Sequence, residues 1–305
     1  MQYTTQKIEF SHIREEPINT LTINAEHGSI TLNLTLHQTK LIKSRFERQF
    51  YIRCKEERMI YFIEEAANYR ELEGLAKKYG LCDLCDFSDI NLYGIKRMLR
   101  VIVTSLYRYP KLRQKFCFLG SHDGYMRAID RLCMGDVSIL HSFGLEYICS
   151  EKMAKDLGFF LSGLMKPMLL TEESYIATAV SAFGFFDAIL FDKNDYEGYA
   201  YIKMISLLRE NEKMGFHPKG CANAESVVFH EIGHMLDDMC GVSVSGEFKK
   251  HFSLYSKSDI ERGISEYAAT SEKEAVAEAF AEYMCNPYPR PMAKWIGDFI
   301  NLKYK

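Results

Sequence analysis

The sequence predicts a fold with many helices and a few strands, and three observations support this. Residues 18–36 alternate in character on both sides of an Asn-Ala-Glu-His-Gly turn, which is typical of a β-hairpin. Several long segments then carry apolar side chains at helical spacing. Residues 184–191, with the sequence GFFDAILF, form a short apolar run with aromatic side chains, which indicates a strand.

The helical segments are spread along the chain after the hairpin. A charged helical pattern runs from about residue 40 to residue 79 and is followed by Gly80. Further helices are predicted over residues 91–108, 123–134, 151–165, 195–213, 224–240 and 272–284. We therefore expect two parts, a small N-terminal α/β accessory module over residues 1–88 (a β-hairpin plus a helix) and a larger domain over residues 89–305.

Composition and charge exclude some classes of protein. The formal net charge is −3, from 38 basic and 41 acidic residues, which argues against a nucleic-acid-binding protein. The longest apolar stretch, residues 175–191, contains Ser181 and Asp187, so we expect buried structure there and no membrane partner. Nine scattered cysteines and an N-terminus without a signal-peptide pattern predict a cytoplasmic protein with free thiols. Export without an N-terminal signal stays an alternative.

One predicted helix carries a histidine pair of the form HExxH. Asn223 is a good N-cap and Gly241 stands where a helix-ending glycine belongs. His230 and His234 are four residues apart, so they lie on one face and can share one ion. Two imidazoles suit zinc, and Glu231 between them is placed to act as a general base. The alternative is a pair of core histidines, but the capped helix with its apolar stripe favours the metal site.

A catalytic zinc site needs a third protein ligand and an open position. The extended form HExxHxxGxxH is absent, because Asp237 and Cys240 stand at its glycine and third-histidine positions. Downstream, three glutamates repeat every four residues on one helix face: Glu274, Glu278 and Glu282. Glu274 also fits a capping box with Ser271, so the residues alone leave the choice among the three open.

A resemblance narrows this choice. The run Glu274-Ala-Val-Ala-Glu278-Ala-Phe280, with Tyr267 seven residues before it, resembles the active site of anthrax lethal factor-like zinc metallopeptidases, which are of the gluzincin type. Pro-Pro endopeptidases and phage-associated metallopeptidase domains share the arrangement. The resemblance covers about residues 180–285. It implies an α+β fold, namely a mostly helical zincin-like catalytic domain with a small mixed sheet above the HExxH helix. It also implies Glu274 as third zinc ligand and Tyr267 as a group that stabilises the oxyanion.

Other residues near the motif are candidates for a role at the site, and the resemblance also places the strand at 184–191. Glu278 and Asp238 are candidates for orienting a ligand histidine, although Asp238 is equally a surface acid at a helix end. The strand at 184–191 is expected at the sheet edge over the cleft, where an extended substrate adds a strand. Cys221 is either a buried free thiol or a thiolate that blocks the metal, and the first is the commoner case. His217 lies close in sequence to the HExxH helix, so it is a candidate for lining the cleft, although the default is a histidine in a turn.

The sequence therefore predicts a zinc-dependent endopeptidase, a hydrolase with one Zn²⁺ per chain. It would act on a protein or peptide bound in extended form, through water activated by the metal and by Glu231. Two alternatives stay open. One is a zinc-stabilised structural or interaction protein of a phage or mobile element, with a zincin fold that does not cleave. The other is a host-directed effector or toxin peptidase.

Overall fold

Two compact units make up the chain, Met1–Arg58 and Met59–Lys305. A computed structural model describes residues 10–11, 19–25, 28–34, 55–142, 150–171, 177–180, 187–191 and 198–305. In the first unit, strands β1 (Phe10–Ser11), β2 (Asn19–Ala25) and β3 (Gly28–Leu34) form an antiparallel sheet in that order. The pairing of β2 with β3, from Asn19 opposite Leu34 to Ala25 opposite Gly28, confirms the predicted hairpin.

The rest of the described chain is mostly helical, which confirms the α+β class. Its elements are α1 (55–65), α2 (Tyr69–Lys78), β4 (Leu84–Asp86), α3 (Leu92–Arg108), β5 (Phe118–Ser121), α4 (His122–Cys133), α5 (Val137–Ser142), α6 (Glu151–Thr171), β6 (Ala177–Val180), β7 (Ala188–Phe191), α7 (Gly198–Met214), α8 (Ala224–Cys240), α9 (Gly246–Phe252), α10 (Lys257–Gly263), α11 (Glu272–Cys285) and α12 (Pro291–Tyr304). Short 3-10 helices cover Pro110–Lys115 and Tyr267–Thr270. Each helix predicted after residue 90 is present, and the predicted helical residues 40–54 lie outside the described residues.

A four-stranded mixed sheet organises the larger unit. Its order is β4-β5-β7-β6, with β4, β5 and β7 parallel and β6 antiparallel to β7. The expectation that the strand at 184–191 forms the sheet edge is wrong: β7 lies inside the sheet, and β6 is the edge strand of the described sheet. Ile189 and Phe191 pack into one core while Ala188 and Leu190 pack into another. A strand buried on both faces needs a continuous apolar run, which the residues AILF of β7 provide.

The two cores lie on opposite faces of this sheet. Helices α4, α5 and α6 cover one face, and α3, α8, α11 and α12 contribute to the core on the other. Ile63, Leu72 and Phe87 are fully buried in the same core as Val228 of α8, so the segment before residue 88 belongs to the larger unit. For that reason the division falls after Arg58, upstream of the boundary at residue 88 that the sequence suggested. In the described part of the chain, no helix combines the length and the apolar character needed to cross a membrane.

Candidate active site

Helix α8 carries the histidine pair, and local capping fixes its ends. The Asn223 side chain accepts a hydrogen bond of 2.9 Å from the backbone N–H of Ser226, which satisfies a donor of the first turn. Gly241 ends the helix in the left-handed region, with φ of 61°, and donates its N–H to Asp237 O at 2.7 Å. Within this helix the Nε2 atoms of His230 and His234 approach to 3.0 Å. The i, i+4 spacing has therefore brought both imidazoles to one point.

Glu274, on the first turn of α11, completes a group of three. Its Oε2 lies 3.3 Å from His230 Nε2 and 3.4 Å from His234 Nε2. These three side chains, called the metal group below, can together hold a metal ion, since their ligand atoms all lie within 4.8 Å of one another. The structure thus selects Glu274 among the three glutamates that the sequence left open.

The geometry of this group fits zinc. In a tetrahedral site with zinc–ligand bonds of 2.0–2.1 Å, neighbouring ligand atoms are about 3.3–3.4 Å apart. The separations here are 3.0, 3.3 and 3.4 Å. Glu274 Oε2 is buried and faces the two Nε2 atoms without hydrogen-bond geometry, which is costly unless a cation binds there. Two imidazoles and one carboxylate leave one position of a tetrahedral ion open, as a catalytic zinc site requires.

The capping-box interpretation of Glu274 accounts only for its backbone. Ser271 caps α11 by accepting the backbone N–H of Glu274 at 3.1 Å. The Glu274 carboxylate does not return to Ser271 but lies against His230 and His234. One residue therefore serves both features, and the cap fixes the first turn of α11 from which the carboxylate projects.

Glu278 lies one turn further along α11 and contacts several residues next to the metal group. Its Oε1 lies 2.8 Å from His230 Nδ1, the ring nitrogen that faces away from Glu274. Its Oε2 accepts a hydrogen bond of 2.8 Å from Ser265 Oγ and lies 3.5 Å from His217 Nδ1. A carboxylate in this position fixes the tautomer and the orientation of a ligand histidine. The predicted role of Glu278 is consistent with these contacts.

The carboxylates of Glu274 and Glu278 and the imidazole of His230 stabilise one another's charged forms. Burial raises the pKa of Glu278, but His217 and His230 outweigh it and bring the pKa to about 2. Burial likewise raises the pKa of Glu274, and the two histidines of α8 lower it to about 2. Burial lowers the pKa of His230, whereas Glu274 and Glu278 raise it to about 10. In the metal-free protein, one imidazolium is therefore held between two carboxylates.

Glu231 faces the cleft from the same helix and is held by the sheet. Its Oε2 accepts a hydrogen bond of 2.6 Å from the backbone N–H of Ala179 on edge strand β6. Burial raises the pKa of the Glu231 carboxyl, and His230, His234 and this N–H oppose the rise without cancelling it. A carboxyl with a raised pKa and a fixed orientation is suited to accept and return a proton.

Tyr267 lies beside the ligand histidines, at the start of a 3-10 helix. Its ring stacks on His230, with ring centroids 5.9 Å apart and an interplanar angle of 28°. The backbone N–H of Tyr267 donates to Phe216 O at 3.2 Å, which ties this segment to the one that follows α7. Tyr267 also lines the cleft, where the resemblance expects a group that stabilises an oxyanion.

The group opens into a cleft of about 480 Å³. Thr178 and Ser226 line it in addition to the polar side chains described above. Apolar residues make up most of the rest, among them Leu208, Phe216, Pro218 and Val227. A second hollow of about 300 Å³, lined in part by Lys115 and Lys273, shares His234 and Ala179 with the first. Residues of β6 line both hollows, so the second adjoins the first at His234 and Ala179.

Two sequence candidates lie away from the metal group. Asp238 has a side chain that is 58% exposed, and its carboxylate is bound by Lys115 Nζ at 2.6 Å rather than by a ligand histidine. Cys221 is a buried free thiol at the cleft wall. A hydrogen bond with Cys285 and burial raise the pKa of Cys221 well above its ordinary value, which disfavours a thiolate ligand.

Two groups of the site escaped the sequence, and the structure decides between two expectations for a third. Ser265 and the N–H of Ala179 carry no motif, because only the fold brings them to Glu278 and Glu231. His217 was expected in a turn, and its backbone does follow the end of α7 through Gly215, whose φ is +88°. Its side chain nevertheless lines the cleft. The available signal was its place just before the HExxH helix.

Comparisons of the chain with protein-family models, with curated proteins and with solved structures find no match.

Proposed function

We propose that this protein is a zinc-dependent endopeptidase with a zincin-like catalytic domain of the lethal factor type. His230, His234 and Glu274 would hold the ion, one per chain. The observation that carries the proposal is the convergence of these three side chains, with separations that fit tetrahedral zinc, around a carboxyl with a raised pKa. The resemblance of the Glu274–Phe280 run and Tyr267 to that family supports it.

The roles of the side chains follow from their places. A zinc ion bound there supplies Lewis-acid chemistry, because it lowers the pKa of a coordinated water and polarises a peptide carbonyl. Glu231 accepts a proton from the attacking water and delivers it to the leaving nitrogen. Tyr267, stacked on His230, donates a hydrogen bond to the oxyanion that develops. Glu278 contacts the Nδ1 of His230, which leaves Nε2 of that ring as the nitrogen that would bind the ion.

The substrate class follows from the edge strand. Residues of β6 line the cleft above Glu231, and the N–H of Ala179 points away from β7 toward α8. Since backbone groups alternate in direction along a strand, Ala177 and Ala179 present their backbone polar groups to the cleft. An extended peptide can bind there by adding a strand, with its scissile bond above the metal group.

The test measures both the zinc content of the protein and its cleavage of peptides. We expect the purified protein to hold about one zinc per chain and to cleave members of an internally quenched peptide library. Glu231→Gln should keep the zinc and lose cleavage by about 10²-fold or more, because the general base is removed while the ligands stay. Glu272→Gln, an exposed glutamate at the start of α11, is the matched control and should behave as the parent. A Glu231→Gln variant that cleaves as fast as the parent contradicts the mechanism.

A second candidate is a zinc-stabilised protein that does not cleave, as a component of a phage or mobile element would be. One observation favours it: the Glu231 carboxylate is already bound by the edge strand, at 2.6 Å. This candidate expects zinc-dependent thermal stability without cleavage of any library member. The endopeptidase expects both zinc-dependent stability and cleavage, so the library assay separates the two.

A further inference from the structure

Glu278 divides its two carboxylate oxygens between two histidines, and only one of these histidines belongs to the metal group. Oε1 faces His230, and Oε2 faces His217 at 3.5 Å. The His217 side chain is 24% exposed and lines the cleft together with His230, Glu231 and Tyr267. A histidine in a plain turn would be expected to point to solvent. This one is held against a buried carboxylate and faces the cleft.

The backbone fixes His217 next to Tyr267. The N–H of Glu266 donates to Gly215 O at 2.9 Å, and the N–H of Tyr267 donates to Phe216 O at 3.2 Å. The rings of His217 and Tyr267 meet edge to face, with centroids 6.1 Å apart. The two side chains therefore stand side by side on one wall of the cleft, on segments joined by two hydrogen bonds.

Glu278 also determines which nitrogen of His217 carries a proton. Its Oε2 accepts a hydrogen bond from Ser265 Oγ and faces Nδ1 of His217, so this oxygen is placed as an acceptor toward the ring. The contact therefore selects the tautomer of His217 that carries its proton on Nδ1. Nε2 is then left as a hydrogen-bond acceptor on a side chain that lines the cleft.

We propose that His217 contacts the substrate: its Nε2 accepts a hydrogen bond from a backbone N–H of an extended peptide, close to the scissile bond. This inference rests on the proposed endopeptidase function. Tyr267 is a donor, and His217 beside it is an acceptor, so the pair matches the two polar groups of a peptide backbone. Glu278 is a positioning residue for two histidines. One is His230, a proposed metal ligand, and the other is His217, which contacts the substrate.

Two variants distinguish contact of His217 with the substrate from a role limited to holding Glu278 in place. His217→Asn keeps a short side-chain N–H that can serve Glu278 but has no group at the Nε2 position, and His217→Phe keeps only the ring shape. We expect both variants to retain about one zinc per chain and to show kcat/KM lowered by about tenfold, mainly through KM, as loss of one hydrogen bond predicts. His251→Phe is the control, since His251 packs on Trp295 away from the cleft.

An amide-to-ester scan of a cleaved peptide identifies the partner atom. Each analogue replaces one backbone N–H near the scissile bond by oxygen. In the parent protein, one position should lose about tenfold in kcat/KM, and His217→Phe should be insensitive at that same position. Nitrogen-15 chemical shifts of the His217 ring should report a proton on Nδ1, without any need for activity.

The outcomes are distinct. If the parent cleaves and both His217 variants cleave equally well, the inference fails while the endopeptidase stands. Loss of zinc by both variants assigns His217 to the support of Glu278 alone and also overturns the inference. If the zinc-loaded parent cleaves no library member, the proposed function fails, and the inference fails with it.

Discussion

Glu231, the candidate general base on α8, accepts a hydrogen bond from the backbone N–H of Ala179 on edge strand β6, at 2.6 Å. This contact joins the helix that carries the proposed metal ligands His230 and His234 to edge strand β6, which lines the cleft. It involves no side chain of Ala179, so a substitution by another ordinary residue leaves it in place. Its role in positioning Glu231 can therefore be tested by removing a single N–H.

Ala179→Pro removes that N–H. Proline is tolerated at edge positions whose N–H faces away from the sheet, and the N–H of Ala179 faces α8 rather than β7. A hydrogen bond to a charged acceptor contributes about 1.5–3 kcal/mol. We expect kcat to fall by about tenfold or more with the zinc content unchanged, as measured by steady-state peptide cleavage and metal analysis.

Ala179→Val is the matched control, because it changes the side chain and keeps the N–H. It should cleave at a rate close to that of the parent. An Ala179→Pro variant that retains zinc and the parental kcat would show that the contact with Glu231 has no part in positioning the base.

Glu278→Gln tests the orientation of His230. A neutral amide in place of the carboxylate weakens the contact with His230 Nδ1, now 2.8 Å long, and substitutions of such partners cost about 10–100-fold in metal affinity. We expect the zinc affinity to fall in that range, measured by competition with a chromophoric chelator. Glu272→Gln on the same helix should leave it unchanged. Equal zinc affinities for the parent and Glu278→Gln would show that Glu278 does not orient His230 for metal binding.

Gly233, between the two histidines, allows α8 and α11 to approach. A Cβ at this position would lie 2.8 Å from Ala277 Cα, which belongs to the backbone of α11. Gly233→Ala should therefore force the helices apart at a cost of about 1–3 kcal/mol, partly offset by about 1 kcal/mol of helix propensity. Because Glu274 lies on α11, its carboxylate would move from His230 and His234.

We expect Gly233→Ala to lower both Tm and zinc affinity, measured by calorimetry and chelator competition. Gly74→Ala is the control, since Gly74 is also helical but has open space where a Cβ would stand. It should leave Tm unchanged or raise it. A Gly233→Ala protein as stable as the parent would show that α8 and α11 can separate without cost.

The sequence revealed the parts of the site that a single helix sets. His230, Glu231 and His234 follow from the i, i+4 geometry, and the Asn223 and Gly241 caps follow from residue preferences at helix ends. Neither depends on tertiary contacts. The strand at β7 could be predicted as well, because burial on both faces requires an apolar run.

The remainder depends on how the elements pack. Glu274, Glu278 and Glu282 have equivalent spacing, but Glu274 meets the histidine pair and Glu278 meets His230 and His217, whereas Glu282 is fully buried against Arg290 at 2.6 Å. The close approach of Gly233 to Ala277 decides which turn of α11 faces the histidines. The place of β6 at the edge escaped the sequence for a similar reason, since a four-residue strand such as ATAV carries almost no periodic signal.

The metal-free site should respond to pH in a defined way. The pKa of His230 is about 10, raised from its ordinary value of 6.5, so its contribution to stability is fully present below 6.5 and is lost as the pH rises through 10. The pKa values of Glu274 and Glu278 are about 2, lowered from 4.5, so their contribution is present above 4.5 and is lost as the pH falls through 2. The contribution of this group to the free energy of unfolding of the chelator-treated protein should therefore be greatest between pH 4.5 and 6.5.

Zinc should change this pH dependence at alkaline pH, because it binds the unprotonated imidazole of His230 and so competes with the proton for that residue. At pH 8, where the pKa of about 10 keeps His230 protonated in the metal-free protein, zinc binding should release about one proton from this residue. Titration calorimetry in two buffers of different ionisation enthalpy measures that number, and the apparent zinc affinity should rise with pH up to about 10. Zinc binding at pH 8 without proton release would contradict the placement of an imidazolium between Glu274 and Glu278.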